Sequence, residues 1–320
     1  MATRKKTNKK PGKGNRIAMS LLAALLLALV IVAGFGMVNA NLLRIRKAEV
    51  VISNLPEHFD GTTLLFASDI DLCGLNTPDH AGEVFNQLQS LHPDALILGG
   101  DYNSTSLLDK LNRPEGNNDD EAKKLVARSD FFHYINAFQA PLGKYAIAST
   151  EDTQWQNLRQ VMEENGVKPL INEKYGLHIR DDTLWLVGIS GKVSRLDSVA
   201  TAFSKDDCVV VIAEGPDILP VLLTSEASDN GSWIDLVLCG HTHGGQTPLV
   251  MMIAKILNKG LLEGLYRIEP DPSVPQRTAF TRRRAMPAFV QTGTQFWNGY
   301  PLRIGTRNEI TILRLTRQKQ

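Results

Sequence analysis

Gly240-His241-Thr242-His243-Gly244-Gly245-Gln246 directly follows the apolar run Trp233-Ile234-Asp235-Leu236-Val237-Leu238-Cys239. That run is short, apolar and partly β-branched, which predicts a buried strand. A turn at its carboxyl end presents both imidazoles where open α/β sheets bind ligands. The flanking glycines let the backbone bend tightly and approach a ligand closely. Imidazole is the commonest protein metal ligand, so the stretch suggests a site for a metal or an anion.

Acids stand in the same place after other predicted strands. Thr62-Thr63-Leu64-Leu65-Phe66-Ala67 runs into Ser68-Asp69-Ile70-Asp71, and Ala95-Leu96-Ile97-Leu98-Gly99 into Gly100-Asp101-Tyr102. Lys144-Tyr145-Ala146-Ile147-Ala148 leads to Ser149-Thr150-Glu151-Asp152, and Cys208-Val209-Val210-Val211-Ile212-Ala213 to Glu214-Gly215-Pro216-Asp217. One acid after one strand is usually a helix cap or turn former. Repeated with one layout, the pattern points to a shared site.

In this order, Asp69-x-Asp71, Gly100-Asp101, Ser149-Thr150-Glu151-Asp152, Glu214 and Gly240-His241-Thr242-His243 resemble the calcineurin-like metallophosphoesterases, in particular their bacterial membrane-anchored members. The resemblance covers about residues 48 to 316, and Gly-His-Thr-His-Gly-Gly-Gln is its most specific part. It implies an α/β layered fold of two packed β-sheets flanked by helices. It also implies one metal position at Asp69, Asp71, Asp101 and His243, and a second at Asp101, Thr150, Glu214 and His241. The chain departs from the family pattern where the chemistry lies. Asp71, Thr150 and Glu214 stand where the family has His, Asn and His, and Glu151 replaces the histidine that assists the leaving group.

Carboxylates gathered without a cation raise one another's pKa, and a bound divalent ion removes the conflict. An oxygen-rich set favours Mn²⁺ or Mg²⁺, with Zn²⁺, Fe and Ca²⁺ left open, and one or two ions are expected. The resemblance implies hydrolysis of a phosphate ester by metal-activated water, with Asp101, Glu151 and His241 as the catalytic residues. Glu151 serves as proton donor only where burial or acidic neighbours raise its pKa. The competing reading is an inactive relative that binds a phosphorylated ligand or partner.

The amino terminus carries Arg4, Lys5, Lys6, Lys9, Lys10, Lys13 and Arg16 with no acid, and Ile17 to Val38 is an uncharged apolar stretch of 22 residues. As a helix that stretch spans the roughly 30 Å hydrocarbon core. Val38-Asn39-Ala40 resembles a signal-peptidase site, but the apolar stretch is long for a signal sequence, which favours an uncleaved anchor. The expected organisation is a basic cytoplasmic tail (1–16), a transmembrane anchor (17–38), a linker (39–47), the phosphoesterase-like domain (48–316) and a short tail (317–320). The excess of bases before the span puts the large domain outside the cytoplasm, in a single-pass protein of the cell membrane. The expected partners are a bilayer and a phosphate ester, with a phospholipid or another envelope molecule as candidates.

The residues after 16 carry 28 Lys and Arg against 34 Asp and Glu, a net −6, which argues against a nucleic-acid surface. Cys73, Cys208 and Cys239 make no disulfide framework, and the latter two are expected as buried thiols. Helices are predicted over 78–91, 121–137, 153–165 and 216–224, a loop over 113–120 and paired strands within 170–188. Pro248 to Leu257 reads foremost as a core-packed helix, with a lid or lipid-dipping surface as the alternative. Arg282-Arg283-Arg284 is a candidate phosphate grip, and Phe296-Trp297 with Tyr300 a candidate stacking surface.

Overall fold

The computed structural model describes residues 13–106, 118–155, 157–191, 203–204, 206–224, 231, 233–269 and 285–318. The arginine run 282–284 and residues 113–117 of the expected loop lie outside them. Helix α1 (Lys13–Ala40) leads into strand β1 (Leu43–Ile52). Then follow β2 (Thr63–Ala67), α2 (Pro78–Leu88), β3 (Ala95–Leu98), α3 (Asn118–Ala137), β4 (Lys144–Ala146), α4 (Leu158–Glu164) and β5 (Lys168–Pro169). The second half contributes β6 (Glu173–Ile179), β7 (Asp182–Ile189), β8 (Cys208–Ala213), α5 (Ile218–Thr224) and β9 (Leu236–Cys239). It ends with α6 (Pro248–Leu257), β10 (Gly264–Ile268), β11 (Met286–Val290) and β12 (Asn308–Arg317).

The strands form two six-stranded sheets, ordered β1-β12-β2-β3-β4-β5 and β10-β11-β9-β8-β7-β6. β2 to β5 run parallel, as do β7, β8, β9 and β11, while β12, β6 and β10 supply antiparallel pairs. The central strands β2, β3, β8 and β9 are almost wholly apolar because both faces are covered. On β2, Leu64 and Phe66 face the second sheet, while Leu65 and Ala67 meet the helices outside. The inner layer packs these residues and Ile97 near Val210, Ile212, Leu236, Leu238 and Phe289. Outside the first sheet lie Phe85, Phe131, Phe132 and Met162, and outside the second Leu219, Leu222 and Trp233. This is the expected layered α/β architecture.

Several boundaries differ from expectation. Residues 43–47, expected as linker, already pair with Asn308 to Ile312 as the start of β1. α3 begins at Asn118, inside the expected 113–120 loop. The helix expected from 153 is interrupted: Asp152–Gln154 forms a single tight turn, and α4 starts only at Leu158. Tyr175-Gly176 lies within β6, and the hairpin turns at Arg180-Asp181. α6 is not packed into the core, since none of its residues is buried. Cys208 and Cys239 are buried, while Cys73 is half-buried with its Sγ 3.1 Å from Ser104 Oγ.

α1 is long and apolar enough to cross a membrane, with 27 residues from Gly14 to Ala40. Its last turn is fastened to the chain ahead of β12. The Arg303 amide donates to the Gly36 carbonyl at 3.0 Å, Asn39 Nδ2 to the Thr306 carbonyl at 2.6 Å, and Asn308 Nδ2 to the Ala40 carbonyl at 2.6 Å.

Candidate metal centre

The loops after β2, β3, β4, β8 and β9 meet at the carboxyl edge of both sheets. Gln291, just past β11, joins the two sheets there. Its Oε1 accepts from the Ser68 amide at 2.6 Å and its Nε2 donates to the Phe66 carbonyl at 2.6 Å. The Thr294 and Gln295 amides donate to the Ser68 and Asp69 carbonyls at 2.8 and 3.1 Å. Gly240 has no space for a side chain, because Ser68 Oγ and Asp69 Oδ2 lie against its α-carbon. The close approach lets the His241 amide donate to Asp69 Oδ1 at 2.8 Å.

Asp69, Asp71, Asp101, His241 and His243 all have positive φ, between 48° and 68°. Asp and His tolerate this region better than most residues, yet each such position costs on the order of 1 kcal/mol and persists only where the surroundings impose it. Five such positions lie together in the strand-end loops, and their side chains neighbour one another.

His243 is buried, with Nε2 3.3 Å from Asp71 Oδ2 and 3.6 Å from Asp69 Oδ1. Its Nδ1 lies 3.2 Å from the buried Arg303 guanidinium. Burial first, then the Arg303 charge, pulls its pKa down to about 3, which keeps the ring neutral, the form that binds metals. His241 is more exposed, with Nδ1 3.4 Å from Asp101 Oδ2 and 3.6 Å from Glu214 Oε1. The Asp101 hydrogen bond and neighbouring acids raise its pKa to about 10. Asp101 is held below the usual carboxylate range, since the His241 and Ser149 hydrogen bonds outweigh the cost of burial. Burial and the Asp101 charge push Asp69 up to about 7 and Asp71 well above its ordinary value, and the same causes raise Glu214.

A divalent cation fits these residues. Donor atoms of Asp69, Asp101 and His241 lie within 4.8 Å of one another. Among the described residues, Asp71 Oδ2 is buried with no hydrogen-bond partner, and a buried carboxylate oxygen without one is costly. The replacements at Thr150 and Glu151 are placed differently from the residues above. Thr150 is exposed, and both its amide and its hydroxyl donate to Glu214 Oε2, at 2.6 and 2.7 Å. Its hydroxyl hydrogen is thereby committed to orienting Glu214. Glu151 is exposed as well, so of the two conditions for its role as proton donor, burial or acidic neighbours, the first is not met.

Three site residues had no role in the sequence reading. Asp152 is fully buried, and its carboxylate accepts from the amides of Asp101, Ser149 and Tyr102 at 2.8, 2.9 and 3.3 Å. Burial and the Asp101 charge push its pKa up to about 7. The Asp152 amide in turn donates to Ser149 Oγ at 3.2 Å. This reciprocal pair is a capping box, and Ser149-x-x-Asp152 is its sequence signal. Arg303 and Gln291 give no local signal, because their partners in the site, His243 for Arg303 and Ser68 and Phe66 for Gln291, are distant in the chain.

The curated relatives match along most of this chain. A transmembrane protein with metallophosphoesterase domain from Danio rerio is 22% identical over 303 residues, covering 89% of this chain and 60% of the relative. One of the same name from Bos taurus is 25% identical over 317 residues, covering 93% and 62%. An uncharacterized metallophosphoesterase of Campylobacter jejuni is 24% identical over 285 residues, covering 86% and 64%. This chain is similar to metallophosphoesterase-domain proteins. It spans about three fifths of the length of the curated relatives it matches. No family model matches it. Among solved structures, a 5′-nucleotidase precursor from Thermus thermophilus aligns with a TM-score of 0.43 at 10% identity, over 79% of this chain and 54% of that one. A dimetal phosphatase from Danio rerio aligns with a TM-score of 0.40 at 8% identity, over 73% and 88%. In this chain the sheets' shared carboxyl edge carries the acids and histidines.

Proposed function

We propose that this chain is a membrane-anchored, metal-dependent phosphoesterase acting on a phosphate ester of the envelope, a phospholipid among the candidates. The observation that carries the reading is the clustering of Asp69, Asp71, Asp101, His241 and His243, all at positive φ, with the buried Asp71 Oδ2 making no hydrogen bond to any described residue. Asp69, Asp71, Asp101 and His243 would hold one divalent ion. Asp101, Glu214 and His241 would hold a second, with Thr150 fixing Glu214 rather than supplying a strong ligand. The acid-rich set favours Mn²⁺ or Mg²⁺. Such ions supply positive charge to the phosphate oxygens and acidify water.

The chain's own residues prepare that site. Asp152 fixes the Asp101 backbone, Arg303 keeps His243 neutral and oriented, and Gln291 holds the β2 and β11 ends together. Glu151 lies beside Thr150 at the exposed rim, where a leaving oxygen departs without a buried acid to protonate it. Esters whose leaving group needs no proton, such as nitrophenyl phosphodiesters, should therefore turn over fastest. α1 supplies the anchor, and the basic residues before it favour the cytoplasmic side for the tail, with the domain outside.

The test uses the full chain in lipid nanodiscs, measuring bound metal and hydrolysis of a nitrophenyl phosphodiester with Mn²⁺. Asp101→Asn should lose both. Metal bound without turnover supports the binding reading, which the exposed Glu151 and the Thr150–Glu214 pairing favour. Absence of metal at every pH and ion tried would sink the proposal.

A further inference from the structure

α6 faces the wrong way for a helix of a water-soluble domain. Leu249, Met252, Ile253, Ile256 and Leu257 recur at helical spacing on one side, and they are 67, 59, 50, 75 and 73% exposed. The opposite side, with Met251, Ala254 and Asn258, is the half-buried one. There Met251 lies against Gly245, and its Cε is 3.6 Å from where a side chain at Gly305 would begin. From Thr247 to Leu262 the sequence has no acid, and its charges are Lys255 and Lys259, both exposed. An outward apolar stripe with lysines beside it is the chemistry of a helix lying in a membrane interface, its lysines reaching the phosphates.

The position of α6 relative to α1 says which surface covers that stripe. Gln246, two residues before α6, accepts from the Ile304 amide at 2.8 Å and donates through Nε2 to the Tyr300 carbonyl at 3.1 Å. The last turn of α1 grips the same stretch through Gly36 and Asn39. α6 is thus fastened to the point where the chain leaves α1. Trp297 and Tyr300, half-exposed beside it, are the aromatic types that favour a membrane–water boundary.

We propose that α6 is seated in the headgroup–acyl boundary of the bilayer that α1 crosses. It forms a second membrane contact and holds the His243–Gly245 turn of the metal site at the lipid headgroups. The proposal rests on the reading of α1 as a membrane span. It refines the substrate class: phosphate esters carried in the membrane reach the site laterally, without leaving the lipid.

The test is spin-label accessibility in the full chain, in nanodiscs of mixed zwitterionic and anionic phospholipid, on a Cys73→Ala background. Labels replace Met252→Cys and Ile256→Cys on α6, Leu26→Cys on α1 and Lys123→Cys on α3, with thermal melts confirming that each variant folds. Positions 252 and 256 should collide with oxygen and lose collision with a water-soluble nickel chelate, as position 26 does, while 123 shows the reverse. Chelate access at 252 and 256 with position 26 still in lipid would overturn the proposal and leave the anchor standing. Chelate access at 26 would overturn the anchor and the proposal together. Dipolar broadening between copies at 256, with exclusion of both reagents, would show a second copy of the chain covering α6 and would also overturn it.

Discussion

Asp152 does its work on the backbone rather than on a ligand. Its carboxylate collects three amides, including that of Asp101, whose φ of 55° would otherwise relax. Asp152→Ala leaves these buried donors unpaired and should destabilise the chain by about 3 kcal/mol, read as a lower urea midpoint. Asp152→Asn keeps one acceptor oxygen and should cost roughly half that. Arg303 is the second such residue, donating to the carbonyls of Thr292, Gln295 and Arg307 as well as to His243. Arg303→Met should cost on the order of 3 kcal/mol, because it strands several buried acceptors. It should also weaken metal binding, because His243 loses the neighbour that fixes its ring. Asp152 was legible in the Ser-x-x-Asp spacing. Arg303 was not, because its role exists only once residues sixty positions apart are brought together.

At the scale of elements, the strands were the most readable part. β8 matches its predicted run residue for residue, because a β-branched apolar segment buried on both faces has few alternatives. Helix boundaries were less legible: capping by Ser149 and Asp152 closes a tight turn that displaces the start of α4 to Leu158. α6 departs furthest from expectation. Its composition predicts burial, but composition does not say which face the fold leaves open. The turn before it leaves little freedom: Gly245 sits at φ 76° with the Met251 backbone against its α-carbon. Gly245→Ala should shift α6 and the His243 turn together, lowering the melting temperature and cutting metal affinity by about tenfold. A melt unchanged from the parent protein would contradict this packing.

For the molecule as a whole, the acids at the sheet edge link stability to pH. Asp69 and Asp152 titrate near 7 in the folded chain against 3.8 in the unfolded one, and Asp71 and Glu214 are raised as well. Between about pH 4 and 7 the metal-free fold therefore binds more protons than the unfolded chain, and stability falls as pH rises. His243, lowered to about 3, opposes this below pH 6.5 but is one group against four. The His241 contribution is complete below pH 6.5 and is lost as pH rises through about 10. Calorimetry on the metal-free protein should show a melting temperature that declines from pH 5 to pH 8. Mn²⁺ should flatten that decline, because it displaces protons from the same groups, and its affinity should rise with pH. A melting temperature that climbs with pH without metal would show that these carboxylates are not crowded together.

The strands, the apolar first helix and the acids and histidines at strand ends could be read from local pattern, since periodicity and turn chemistry are local properties of the chain. Which side chains meet emerged from the folded packing: Thr150 serves Glu214, Asp152 and Arg303 hold the site from behind, and α6 turns its apolar face outward. Those outcomes depend on distances between segments far apart in the chain, which local propensity does not encode.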